Sequence, residues 1–214
     1  MVFCVDRAGL VGNDGETHHG VFDISYLRTV PGMTVLCPAS FQELRDMLGY
    51  ALHSVSGPVA IRYPRGGEGR YIGSSMSGET VLREGVDLTI VSYGTMINEV
   101  LEAADLLEEA GVSAEIVKIG SAFPNRYELC IQSAQKTGRL LVAEDVCAAG
   151  CVGSAILTAA AMGGNPISRC RLVNLGEGIV PHGTVAQLRQ DNGLDAVSLS
   201  HTGLELCGRS VVKP

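Results

Sequence analysis

The feature that most constrains this chain is a series of short, almost unbroken apolar runs. They are VFCV (2–5), MTVLC (33–37), VAIRY (59–63), LTIVSY (88–93), AEIVKI (114–119), LLVAE (140–144) and CRLVNL (170–175). Strands with one wet face alternate apolar and polar residues. These runs hardly do, which is the pattern of parallel strands covered on both sides. Between them lie stretches with helical spacing. SFQELRDMLGYAL starts with Ser40 as an N-cap, and Glu43 three residues later completes a capping box. NEVLEAADLLEEAG sets Val100, Leu101, Ala104 and Leu107 on one face and stops at Gly111. Further helices are expected over about 127–137 and along GSAILTAAAM. This alternation predicts an α/β fold built of three-layer units with mostly parallel sheets and right-handed crossovers.

The rhythm breaks at RGGEGRYIGSSMSGET (65–80), a Gly- and Ser-rich stretch with little to bury. A boundary is expected there. It gives a first unit over 1–70, a linker over 71–82 and a second unit over 83–214. The first unit has three strands and one strong helix and begins directly in a strand. It therefore reads as truncated, with a sheet edge that something else must cover.

Composition removes several functions. A net charge of −7 argues against a nucleic-acid partner, which needs a basic face to displace counterions. No apolar run approaches the roughly 18–20 residues that span a bilayer, and no charged-then-apolar leader precedes Val2, so no membrane partner is expected. The seven cysteines are odd in number and form no CxxC pair. Cys147 and Cys151 lack the second pair a zinc site needs, so reduced thiols, no metal site and a cytoplasmic location are expected.

The stretch that demands a function is DRAGLVGNDGETHHG (6–20), too polar for a core and dense in glycine. Every Lys or Arg in residues 1–70 is an arginine, the side chain for forked recognition of phosphate or carboxylate. Ligands of open parallel sheets sit beyond the carboxyl ends of the strands. The run 2–5 leads into Asp6 and Arg7, and the run 59–63 leads into Pro64 and Arg65. If both strands run the same way in one sheet, Arg7 and Arg65 reach one rim, with Asp14 and His18 in the loop between. Such a set suits a phosphorylated substrate whose protons move during reaction. Each residue also has an ordinary reading: a surface ion pair, a solvated loop histidine, an Asp–Gly turn. The glycines at 9, 12 and 15 match neither a Walker loop nor a dinucleotide fingerprint. On the residues alone, an anion site and a plain polar loop both stay open.

DRAGLVGNDGETHHGVFDISYLRTVPGMTVLCPAS followed by GPVAIRYPRG closely resembles, over residues 2–67, the pyrimidine-binding domain of the 1-deoxy-D-xylulose-5-phosphate synthases, thiamin diphosphate enzymes of the transketolase family. YGTM (93–96), VAEDVCAAGCVGSAI and GIVPHG (178–183) are similar to the C-terminal domain of the same family. AFPNRYEL and AEDV depart from the Lys-Pro-Leu-Asp run and the acidic pair with Asn usual there. The resemblance implies condensation of pyruvate with D-glyceraldehyde 3-phosphate, with loss of CO2, to a product used in isoprenoid and thiamin synthesis. It matches Arg7 and Arg65 to the arginines on the acceptor's phosphate. It matches His18 to a group that moves protons and Asp14 to one that orients hydroxyls or waters. His19 receives no role, and His182 reads as structural. The family's Gly-Asp-Gly motif for diphosphate and Mg2+ and its Glu-Gln-His run have no counterpart here. Thiamin diphosphate and Mg2+ are therefore expected in the complete enzyme and not on this chain alone, which is expected to be inactive. A homodimer is expected, and a separate cofactor-binding polypeptide is the split-enzyme variant. The alternatives are a β subunit of a 2-oxo acid dehydrogenase-type thiamin enzyme and a non-catalytic dimerisation or assembly module.

Overall fold

A computed structural model describes residues 1–74 and 78–209. The first sheet holds β1 (Val2–Val5), β3 (Val59–Arg62), β2 (Thr34–Leu36) and β7 (Ser121–Phe123), in that spatial order. The second holds β4 (Glu79–Arg83), β6 (Ala114–Ile119), β5 (Leu88–Tyr93), β8 (Leu140–Ala143) and β9 (Cys170–Val173). β1, β3 and β2 are mutually parallel, as are β6, β5, β8 and β9. Every apolar run of the sequence contains one of these parallel strands.

The two strands not anticipated, β4 and β7, are the antiparallel ones. ETVLR and SAF are short and mixed in polarity, because each lies at a sheet edge where one flank needs no partner. β4 takes in residues 79–82 of the expected linker, and residues 75–77 lie outside the described residues, as do 210–214 of the second unit. β7 follows β6 in the chain yet pairs with β2 of the first sheet. One apolar core spans both sheets: Ile24, Val35 and Ala60 pack in the same cluster as Val91, Val117 and Val142.

Among the described residues the α-helices α1 (Asp23–Leu27), α2 (Phe41–His53), α3 (Ile97–Glu109), α4 (Glu128–Thr137) and α5 (Val152–Met162) lie between strands, and α6 (Val185–Asp191) and α7 (Ala196–Leu206) follow β9. α3 buries Val100, Ala104 and Leu107 as the spacing predicts, and Leu101 stands at the rim of that face, partly buried. α7 lies along α3 and closes the second unit. α1, α6 and α7 were not foreseen, because their runs are short or built of small residues with weak periodicity.

The start of α2 shows how the units join. Ser40 accepts from the Glu43 amide at 3.1 Å, the expected cap. Its own hydroxyl donates to the Gly73 carbonyl at 2.8 Å. The reciprocal half of the capping box is altered: the Glu43 carboxylate takes the Ala39 amide (2.8 Å) in place of that of Ser40. A stronger demand draws it inward, since Glu43 also accepts from the Tyr71 hydroxyl at 2.8 Å and lies 2.8 Å from Lys118 Nζ of β6, at ion-pair distance though outside hydrogen-bond angles. Ser40→Ala is expected to cost about 1–2 kcal/mol, since it removes a cap and strands the Gly73 carbonyl; urea unfolding measures it.

β1 is the outer strand of its sheet, and Phe3 and Cys4 on it are exposed. Among the described residues nothing pairs with its outer side.

Candidate anion site at the carboxyl rim

β1 and β3 are adjacent and parallel, with Val5 opposite Arg62, so their carboxyl ends deliver Arg7 and Arg65 to one rim. The chain between β1 and α1 is an almost closed loop. At its neck the Gly9 amide donates to the Gly20 carbonyl (2.9 Å), and the Gly20 amide donates to the carbonyls of Arg7 and Gly9 (both 3.0 Å). Only glycine fits at position 20, where a Cβ would lie 2.2 Å from the Arg7 carbonyl oxygen. Arg7 itself takes the left-handed conformation, with φ of 60°, a strained choice for a side-chain-bearing residue. The Gly20 bond and the Ala8 amide, which donates to the Tyr63 carbonyl at 3.0 Å, hold it there.

Three of the four candidate residues meet. Arg7 Nε donates to Asp14 Oδ2 at 3.0 Å, and Arg65 Nη1 pairs with Asp14 Oδ1. Arg7 also pairs with Asp6. Asp14 thus bridges two guanidinium groups and fixes their spacing, while Arg65, the most exposed of the three, keeps donors turned to solvent. His18 is not drawn into this trio. It ends an exposed 3-10 turn, Glu16–His18, with Nδ1 3.3 Å from Thr17 Oγ1. Beside the trio, a cavity of about 270 Å3 opens between the ends of β2 and β3, lined by Ser40, Phe41, Tyr63, Pro64, Glu68 and Thr95.

The residues that hold this rim in place lie beneath it. Arg62, fully buried at the end of β3, donates from Nε to Asp23 Oδ2 (2.8 Å) and from Nη2 to the Gly20 carbonyl (3.3 Å). Burial opposes its charge most strongly, but Asp23 together with Cys37, Asp145 and Tyr93 outweighs that, and the guanidinium stays firmly protonated. It also stacks over the Tyr93 ring at 5.7 Å. The Tyr93 hydroxyl donates to Glu144 (2.9 Å), which further accepts the Val152 and Gly153 amides at the start of α5, each at 2.9 Å. Burial pushes the Glu144 carboxyl up, against the pull of those donors. The same burial holds the Cys37 thiol up to about 12, so it is an inert core group. None of the seven sulfurs is paired with another.

Two histidines acquire positions the sequence did not give them. His19 is buried and bonded at both ring nitrogens. His182 is exposed, with its ring against Gly15 at the loop tip.

Paired parallel α/β units whose carboxyl rim carries paired arginines define a class of two-domain α/β enzyme modules, and comparison assigns the class. Residues 1–67 match the transketolase pyrimidine-binding domain and residues 79–199 the transketolase C-terminal domain. The chain belongs to the transketolase family. Within it, the chain is 42% identical to the 1-deoxy-D-xylulose-5-phosphate synthase of Heliobacterium modesticaldum over 96% of its own length and 40% identical to that of Gloeobacter violaceus over 95%. It spans 32% of each of those relatives. A solved split-gene transketolase, described as an inactive β4 tetramer, matches with a TM-score of 0.84 at 30% identity, over 97% of this chain and 67% of that one. A transketolase of Pichia stipitis shares the fold at a TM-score of 0.71 and 18% identity. Among the described residues no helix is long and apolar enough to cross a membrane.

Proposed function

We propose that this chain is the acceptor-binding portion of a 1-deoxy-D-xylulose-5-phosphate synthase-type transferase, in which Arg7 and Arg65 grip the phosphate of D-glyceraldehyde 3-phosphate. The observation that carries the reading is the Arg7–Asp14–Arg65 bridge at the carboxyl rim of two adjacent parallel strands. Asp14 presets the distance between the forks, and a phosphate dianion takes over the donors that Arg65 leaves in solvent. His18, exposed four residues beyond Asp14, moves protons near the reacting carbon. The full reaction joins pyruvate to that acceptor with loss of CO2, and thiamin diphosphate supplies the carbanion chemistry when bound. The family's Gly-Asp-Gly run for the diphosphate and Mg2+ has no counterpart among these residues. The cofactor half comes from outside these residues, and the chain alone is inactive. The outer side of β1, unpaired among the described residues, and the likeness to a split-gene transketolase support a cofactor-binding half, on the same or on a separate polypeptide, in an assembly of at least two copies. The Gly/Ser-rich stretch ahead of β4 is the boundary between the two units.

Calorimetric titration with D-glyceraldehyde 3-phosphate tests the reading. Binding is expected, with Arg65→Ala weakening it at least about tenfold, the loss of one charge-assisted pair. Undiminished affinity in that variant would favour the 2-oxo acid dehydrogenase-type alternative. A stable oligomer that binds no anion would favour the assembly-module reading.

A further inference from the structure

We propose that His19 is a positioning residue that seats the 6–20 loop, and with it the Arg7–Asp14–Arg65 trio, in a crevice of the second sheet. What the seating serves rests on the phosphate-binding reading above; the seating itself does not.

In the second sheet the winding reverses at β5: the chain passes from β5 to β6 on one side, then to β8 on the other. The crevice between the ends of β5 and β8 is where open α/β sheets take their ligands. Here the first unit's own loop fills it. Gly9 lies so close over Asp145 that a Cβ would stand 1.9 Å from its Oδ2. The Cys147 amide donates to the Val21 carbonyl at 2.8 Å. Gly12 packs against the start of α6, where a Cβ would lie 3.2 Å from the Val185 nitrogen.

His19 ties the loop to the second unit with direction. Its Nδ1 accepts the Val11 amide at 3.1 Å, and its Nε2 lies 3.3 Å from the Pro181 carbonyl oxygen. An amide N–H only donates and a carbonyl only accepts, so the ring is held as the neutral tautomer with hydrogen on Nε2. Both nitrogens are spent on backbone groups of different units. Packing alone would require neither bond. The imidazole is a strut: one end fixes the loop at Val11, two residues past Gly9 of the neck, the other fixes the segment that carries His182 to Gly15. Because His18 is its neighbour in the chain, the strut also sets where the candidate proton-moving residue stands.

Amide hydrogen exchange on the full chain, with calorimetric titration of inorganic phosphate, tests the proposal through three variants. His19→Ala should speed exchange of residues 8–20 at least tenfold, leave β5, β6 and β8 unchanged, and raise the phosphate Kd at least tenfold. His19→Asn keeps an acceptor for Val11 and loses the Pro181 bond; His19→Gln keeps a donor for Pro181 and loses the Val11 bond. Both should exchange at intermediate rates. Unchanged exchange over 8–20 in His19→Ala overturns the proposal. So does equal acceleration throughout the molecule, which would make His19 an ordinary core residue. Localised acceleration with no phosphate binding by the unaltered chain would sink the functional reading and leave the strut standing.

Discussion

Lys118→Ala should lower the unfolding free energy by about 3–5 kcal/mol, the penalty for leaving one member of a buried ion pair without the other. Lys118 stands on β6 with its ammonium out of contact with water, 2.8 Å from Glu43 of α2, and its second neighbour is the Tyr71 ring at 5.5 Å. Glu43 also accepts from the Ala39 amide and the Tyr71 hydroxyl. Without the lysine the enclosed carboxylate loses the ammonium that faces it. The pair joins the two units, so its loss loosens the junction as well as the helix. Lys118→Met combined with Glu43→Gln should recover most of the loss, because the glutamine still accepts from Ala39 and no charge stays buried. Urea midpoints of the two single variants and the double variant decide it. A single-variant cost below about 1 kcal/mol would show that the pair is not what binds the units.

Gly9→Ala is the second large expected effect, about 2–5 kcal/mol. The backbone at Gly9 has φ of 72°, which alone costs an L-residue about 1–2 kcal/mol. The new methyl group would meet Asp145 Oδ2 at 1.9 Å and Cγ at 2.4 Å, so the loop or the carboxylate must move, adding about 1–3 kcal/mol of overpacking. Adding Asp145→Ala removes all the carboxylate atoms in the way and leaves the backbone term, so the double variant should regain only the second part. Thermal unfolding measures both. Phosphate binding should disappear in Gly9→Ala, since the loop that carries Arg7 and Asp14 leaves its seat. A variant that unfolds like the unaltered chain would mean that the loop does not rest on Asp145.

The parallel frame was readable because its inner strands are buried on both faces and so written in apolar residues, as at LTIVSY and AEIVKI. β4 and β7 escaped because edge strands need no such run. The meeting of Arg7 with Arg65 followed from two strands ending alike, while the bridging by Asp14 required the fold of a loop that no periodicity describes. The buried network had a visible half. Arg62 and Lys118 are charges inside apolar strands, and such residues need partners. Their partners, Asp23 and Glu43, lie in distant helices and look in the sequence like common surface acids. His19 was hidden for the same reason: its two bonds go to backbone groups, which carry no signature in side-chain identity.

Residues 121–123 belong to the second unit by sequence and to the first by hydrogen bonding, since β7 pairs with β2. The seam of the chain is therefore not the seam of the solid. A chimaera that takes residues 1–70 from a relative and keeps the remainder would give β2 a foreign neighbour. A graft that moves 121–123 with them would preserve the stitch. Exchangeable parts of this protein are defined by who pairs with whom, and a junction drawn at the glycine-rich stretch alone cuts across one of them.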